Sequence, residues 1–268
     1  MPDYPEQDTS SLALQGGLKG RFAGDFCVLQ SSIDALDRYL QQQGTPEMRR
    51  VTAQMLQEMS CRVQRLERLS DHAAELALGS ALRGLREKTL LNLTEYLTAA
   101  CGCARQELAL HESALQISLP AEKNAAPLWA QADAGLLDAL LANLITNAAG
   151  VRGCAQVELQ AGPGAQLFYR DDGPGLAPDG VLLLEQGAIS RELAAGGATG
   201  LLLIREYTAA LGWELRVEKG PGLVLRFSIP LVQMGKEACQ TMRASAQEQA
   251  ARKTRTAACF KRELGAVL

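Results

Sequence analysis

The sequence predicts an α+β protein in two parts. An antiparallel helical hairpin comes first, then an α/β sandwich with a mixed, mostly antiparallel sheet, and the chain ends in a further helix. Three observations predict this. From Phe22 to Leu76 apolar residues recur every three to four positions, the period of a helix face. From Leu115 onward the period changes to two, the signature of half-buried strands. The 25 glycines and 10 prolines, the natural punctuation of turns, are concentrated in the second half.

The elements follow in order. Residues 1–17 are polar and carry no periodic stripe, so they are expected to be flexible. Leu29, Ile33, Leu36 and Leu40 form the first helical stripe, which should stop at Gln43-Gly44-Thr45-Pro46. Met55, Met59, Val63, Leu66, Leu69, Ala73 and Leu76 form the second. Two such helices and a short loop make a hairpin over residues 18–80, and one hairpin cannot bury its own stripes. Two copies would make a four-helix bundle, so a homodimer is expected; packing of the stripe on the rest of the chain is the alternative. Residues 80–91 read as a helical linker. Asn92-Leu93-Thr94-Glu95 is a capping signature for a helix over 94–111. Strands are expected at Leu115–Leu119 and Leu128–Gln131, then a strongly apolar helix after Asp133. Val157/Leu159 and Leu167/Tyr169 mark two more strands. A helix over Leu201–Leu211 precedes a hairpin, Trp213–Lys219 and Leu223–Ile229, across Gly220-Pro221-Gly222. Residues 81–230 thus form a second domain. Residues 231–268, rich in Ala, Gln, Lys and Arg, form a C-terminal helical extension.

Composition removes several classes of function. With 27 basic and 30 acidic residues the net charge is −3, so no nucleic-acid partner is expected. The most apolar stretch, Leu136–Ile145, carries Asp138 and Asn143 and falls short of the roughly 18 residues that a membrane span needs. The polar N-terminus does not read as a signal peptide. Seven cysteines without framework spacing fit free thiols in a reducing, cytoplasmic setting.

Three short segments could carry chemistry. Asn143 and Asn147 are four residues apart, hence on one face of an otherwise apolar helix. Burying such a pair is unfavourable unless something pairs with it, and a carboxamide oxygen suits hard Mg²⁺. Asp171-Asp172-Gly173-Pro174-Gly175-Leu176 follows a strand; its glycines allow close approach of a flat ligand, and its carboxylate can accept from an exocyclic amine. It is equally good turn chemistry. Gly196-Gly197-Ala198-Thr199-Gly200-Leu201 runs into a helix and offers backbone N–H groups to phosphates. Each is common alone.

In this order and spacing, from about Asn92 to Pro230, the three resemble the N, G1 and G2 boxes of the GHKL-type ATP-binding domain of sensor histidine kinases. The resemblance implies that ATP and Mg²⁺ are the cofactors. Asn143 and Asn147 would line the site and Asn147 would hold Mg²⁺. Asp171 would meet the adenine amine, while Gly173, Gly175, Gly196 and Gly200 line the nucleotide loops. Phe22–Leu76 is similar to the family's dimerisation and phosphoacceptor hairpin, which implies a two-component signalling role with a response regulator or partner kinase as partner.

The sequence also departs from that pattern. Cys27 stands where the phosphoacceptor His is expected, Val28 where its acidic neighbour is expected, and Ser32 where the family has Pro. His72 and His111 lie elsewhere. Gly150 and Val151 replace a basic residue, Ala198 and Thr199 alter the G2 box, and no Phe lies between Gly175 and Gly196. Self-phosphorylation by the family's route is therefore expected to be lost. Three alternatives stand at this point: a degenerate kinase acting as a dimeric scaffold, a working phosphotransferase with another acceptor, and a pseudokinase that binds partners without using ATP.

Overall fold

The computed structural model describes residues 7–78, 88–119, 128–150, 156–162, 166–188, 199–232 and 246–265. The chain divides into two units, Met1–Leu78 and Gly79–Leu268.

The first unit is the hairpin of α1 (Gln7–Gln43) and α2 (Pro46–Leu78). The turn forms as its residues dictate. The Gly44 N–H closes on the Leu40 carbonyl at 2.8 Å, and the Thr45 hydroxyl caps α2 by accepting from the Met48 N–H at 3.3 Å. The flexible stretch expected over 1–17 is corrected in part: the helix already runs from Gln7, because extending a formed helix adds a hydrogen bond per residue without a new nucleus. Ile33 and Leu56 are buried between the helices, with Gln30 donating to the Ser60 hydroxyl at 2.6 Å. Leu29, Leu36, Met55, Met59, Leu66 and Leu69 remain exposed along the same stripes.

The second unit begins with a correction. The expected helical linker over 80–91 ends in a strand, β1 (Thr89–Asn92), paired antiparallel with β3 (Trp129–Ala132); residues 79–87 lie outside the described residues. That pairing is long-range, and nothing local in Thr89-Leu90-Leu91 announces it. Asn92 caps α3 (Leu93–Leu110), and Asp133 caps α4 (Ala134–Ala149) by accepting from the Leu136 N–H at 2.8 Å. Both caps were legible in the sequence. The main sheet holds β2 (Gln116–Ser118), β4 (Gln156–Gly162), β5 (Gln166–Asp171), β6 (Glu214–Glu218) and β7 (Val224–Ser228), in the order β2-β4-β5-β7-β6. Only β2–β4 is parallel. A mixed, mostly antiparallel sheet is what the alternating strands predicted.

One sheet face is core. Leu167, Tyr169, Leu225 and Phe227 are buried on it, and the Tyr169 hydroxyl reaches the Leu144 carbonyl of α4. The other face carries Phe168, with the Arg170 guanidinium 5.1 Å from its ring centre, and Arg226 paired to Glu218 at 2.8 Å. These residues, with Lys219 and Gly220, line a shallow groove of about 600 Å³. The free sides of the two edge strands each meet a side chain. Arg105 of α3 donates to the Ile117 carbonyl of β2 at 2.9 Å, and the Val217 N–H of β6 donates to Glu185 at 3.1 Å. Glu185 belongs to α5 (Pro178–Gln186), a helix not expected from the sequence. Its signals were present, with Pro178 in the first turn and Gly187 just past the end. The helix α6 (Thr199–Leu211) packs on α4 and α5.

The C-terminal extension forms α7 (Ala246–Gly265), which docks across α3 and α4. Phe260 and Leu264 are fully buried there. Asp138 of α4 is buried with them. It accepts from the Tyr96 hydroxyl of α3 and, at 2.9 Å, from the Thr256 hydroxyl of α7, while the Arg255 Nε stands 3.7 Å away. Burial holds the Asp138 carboxyl above its usual range, although Tyr96, Thr256 and Arg255 each pull it back down.

Candidate functional site

The site grows from α4. This helix is apolar on almost every side because it packs against α6, α7 and α3 and meets β5 through the Tyr169 hydroxyl. Asn143 is nevertheless only 1% exposed. Its Nδ2 donates to the Ala139 carbonyl at 3.0 Å, but its Oδ1 is buried with no hydrogen-bond partner. One turn on, half-buried Asn147 points the same way. Both carboxamides converge on the start of α6: a Cβ built on Gly200 would lie 3.1 Å from the Asn147 Oδ1 and 3.7 Å from the Asn143 Oδ1. Gly200 thus leaves room between the first turn of α6 and two carboxamide oxygens.

A second cluster forms at the end of β5. The Asp171 Oδ1 accepts from the Gly173 N–H at 3.0 Å and the Leu223 N–H at 3.2 Å. The Tyr169 hydroxyl lies 2.8 Å from the Asp171 Oδ2 and 3.0 Å from the Leu144 carbonyl of α4. Tyr169 therefore bridges the Asp171 cluster to α4, one residue beyond Asn143. A carboxylate offers about four acceptor positions, and three donors leave one open. The loop after Asp171 lies against the β6–β7 turn. Gly222 has φ +74° and its α-carbon abuts the Asp171 carbonyl; Gly175, with φ +73°, packs against the Gly222 carbonyl.

Of the residues that the sequence singled out, the structure brings Asn143, Asn147 and Gly200 together, and Asp171, Gly173 and Gly175 together. Gly196 lies outside the described residues, as does Ala198. Gly222, the Leu223 N–H and Tyr169 were missed. Gly220-Pro221-Gly222 was read only as a hairpin turn, and the signal that it does more is a glycine forced to positive φ against another loop. Cys27 is exposed on α1, and Ser32 returns its hydroxyl to the Val28 carbonyl at 2.8 Å within an unbroken helix. The buried cysteines of α3 are poor nucleophiles, since burial pushes the Cys101 thiol up to about 11 and raises that of Cys103.

The residues present fit a nucleotide with its cation. An unpartnered, buried carboxamide oxygen is the kind of atom that a hard cation or a donor completes. Asn147 and the first turn of α6 stand beside it, and Asp171 keeps one acceptor position for an amine.

No known protein family matches the chain by sequence, and no curated protein is detectably similar to it. Solved structures are. Full-length ShkA in complex with AMPPNP superposes with a TM-score of 0.55 at 19% identity, over 85% of this chain and 46% of ShkA. The chain thus spans about half the length of that protein. The Acinetobacter baumannii histidine kinase AdeS gives 0.48 at 14% identity, over 76% of this chain and 95% of AdeS. The cytoplasmic segment of histidine kinase QseC gives 0.41 at 17%, over 62% and 92%. The chain thus shares the fold of the part of ShkA that it covers.

Proposed function

We propose that this chain, with the fold of a sensor histidine kinase catalytic core as the premise, is a two-component signalling protein that binds ATP with Mg²⁺ and has lost self-phosphorylation. The observation that carries the reading is the buried Asn143 Oδ1 without a partner, converging with Asn147 on Gly200. Asn143, Asn147 and Gly200 would hold the phosphate end, with Mg²⁺ on the Asn147 oxygen. Asp171 would take the adenine amine, with Gly173, Gly175 and Gly196 lining the loops. The bound cation supplies charge neutralisation for the phosphates. The AMPPNP held by ShkA supports this reading. Cys27 in place of His, with Val28 beside it, is the basis for the loss of self-phosphorylation. A homodimer through α1 and α2 and docking of a response regulator or partner kinase belong to the same proposal, as does a cytoplasmic setting. No helix among the described residues is long and apolar enough to cross a membrane.

One observation favours a second reading, a scaffold that uses no ATP: Asp171 already accepts three hydrogen bonds and so has a structural role without a ligand. Calorimetric titration with AMPPNP and Mg²⁺ separates the two. Binding that Asn147→Ala and Asp171→Ala each weaken by about tenfold or more is expected from the loss of a charge-assisted contact. No heat and no thermal shift with the wild-type chain would leave the scaffold.

A further inference from the structure

Thr146 lies on α4 between Asn143 and Asn147 and is 2% exposed. Its hydroxyl is buried and has no hydrogen-bond partner. Among the described helical threonines Thr94 shares this, but it is the second residue of α3 and the residue four before it lies in β1, not in a helix. Thr52, Thr98, Thr208 and Thr254 also sit in helices, and each returns its hydroxyl to the carbonyl four residues back, at 2.6–3.0 Å. Thr208 is as buried as Thr146, so burial alone does not prevent the return bond. Thr146 forgoes the Ala142 carbonyl that is available to it. A buried hydroxyl left unpaired opposes folding, and native structures keep few of them.

The place matters as much as the missing bond. Residues three apart on a helix are neighbours on its surface. Thr146 therefore adjoins Asn143, whose Oδ1 is the other unpartnered buried oxygen of this stripe. Asn143 offers an acceptor, and Thr146 offers a donor.

We propose that Thr146 is a third ligand-binding group of the Asn143/Asn147 site, donating its hydroxyl hydrogen to a phosphate oxygen of the bound nucleotide. The proposal rests on the nucleotide reading above. It assigns opposite effects to one methyl-for-hydroxyl exchange. Without ligand, Thr146→Val removes an unpaired polar atom and keeps the shape. With ligand, it removes a hydrogen bond to a charged acceptor.

The test uses the full chain as wild type, Thr146→Val and Thr146→Ser. Each is melted without nucleotide and titrated with ATP and Mg²⁺. Thr146→Val should melt no lower than wild type and bind about tenfold more weakly, while Thr146→Ser keeps the wild-type affinity. Equal affinity of wild type and Thr146→Val overturns the assignment and leaves the nucleotide site standing. A lower melting temperature for ligand-free Thr146→Val shows the hydroxyl to be structural and overturns it too. A wild-type chain that binds no nucleotide overturns the assignment and the nucleotide reading together.

Discussion

A methyl group on Gly222 would land on the Asp171 carbonyl oxygen, at a backbone angle that side chains rarely adopt. The loop that begins at Asp171 would have to move. Gly222→Ala is therefore expected to cost about 3 kcal/mol of stability and to weaken AMPPNP binding with it. Gly220→Ala is the comparison, because there the new methyl meets a side chain, the Val224 Cγ2 at 2.7 Å, instead of the loop backbone, and Gly220 has no positive φ. Thermal unfolding and titration of the two variants check this, and equal effects would show that the contact between the loops does not matter. The Asp171–Gly175 segment was legible because its residues are adjacent and each is unusual in that place. Its support was not. Leu223 reaches Asp171 across 52 residues of sequence, and no local pattern encodes such a meeting. Tyr169 was read only as marking a strand, and it is the fold that shows its hydroxyl between Asp171 and α4.

At the scale of elements, α4 is fixed from two sides: by the sheet through Tyr169, and by α7 through Asp138. The Asp138 carboxyl titrates above its usual 3.8 because burial disfavours its charge. Its contribution to stability is complete below about pH 4 and is lost as the pH rises through the raised folded value. Asp138→Asn should therefore leave acid stability unchanged and give a higher melting temperature than wild type at neutral pH. The difference between the two melting curves across this pH range isolates the group, and parallel curves would refute it. The caps at Asn92, Thr45 and Asp133 were readable because a cap is a local device. The docking of α7 was not, since an amphipathic helix shows which face wants burial and never against what. The strand β1 was hidden for the same reason, and α5 was overlooked although Pro178 and Gly187 bracket it.

The molecule as a whole divides after Leu78, where the second helical stripe ends and well before the period changes at Leu115. Its exposed apolar residues have one concentration among the described residues, the stripe through Leu29, Leu36, Met55, Met59, Leu66 and Leu69. Surface of that kind marks an interaction site. Sedimentation equilibrium is expected to give twice the chain mass, and Leu66→Glu a monomer whose second unit melts as before; a wild-type monomer at high concentration would end the bundle proposal. A helical hairpin associates through side chains, but a sheet can also recruit a neighbour through its backbone, by templating one more strand. Here Arg105 occupies the open border of β2 and Glu185 that of β6, so neither border has a complete row of free peptide groups to offer. One peptide group at each border of the sheet is thus already engaged by a charged side chain, which disfavours growth of the sheet from chain to chain.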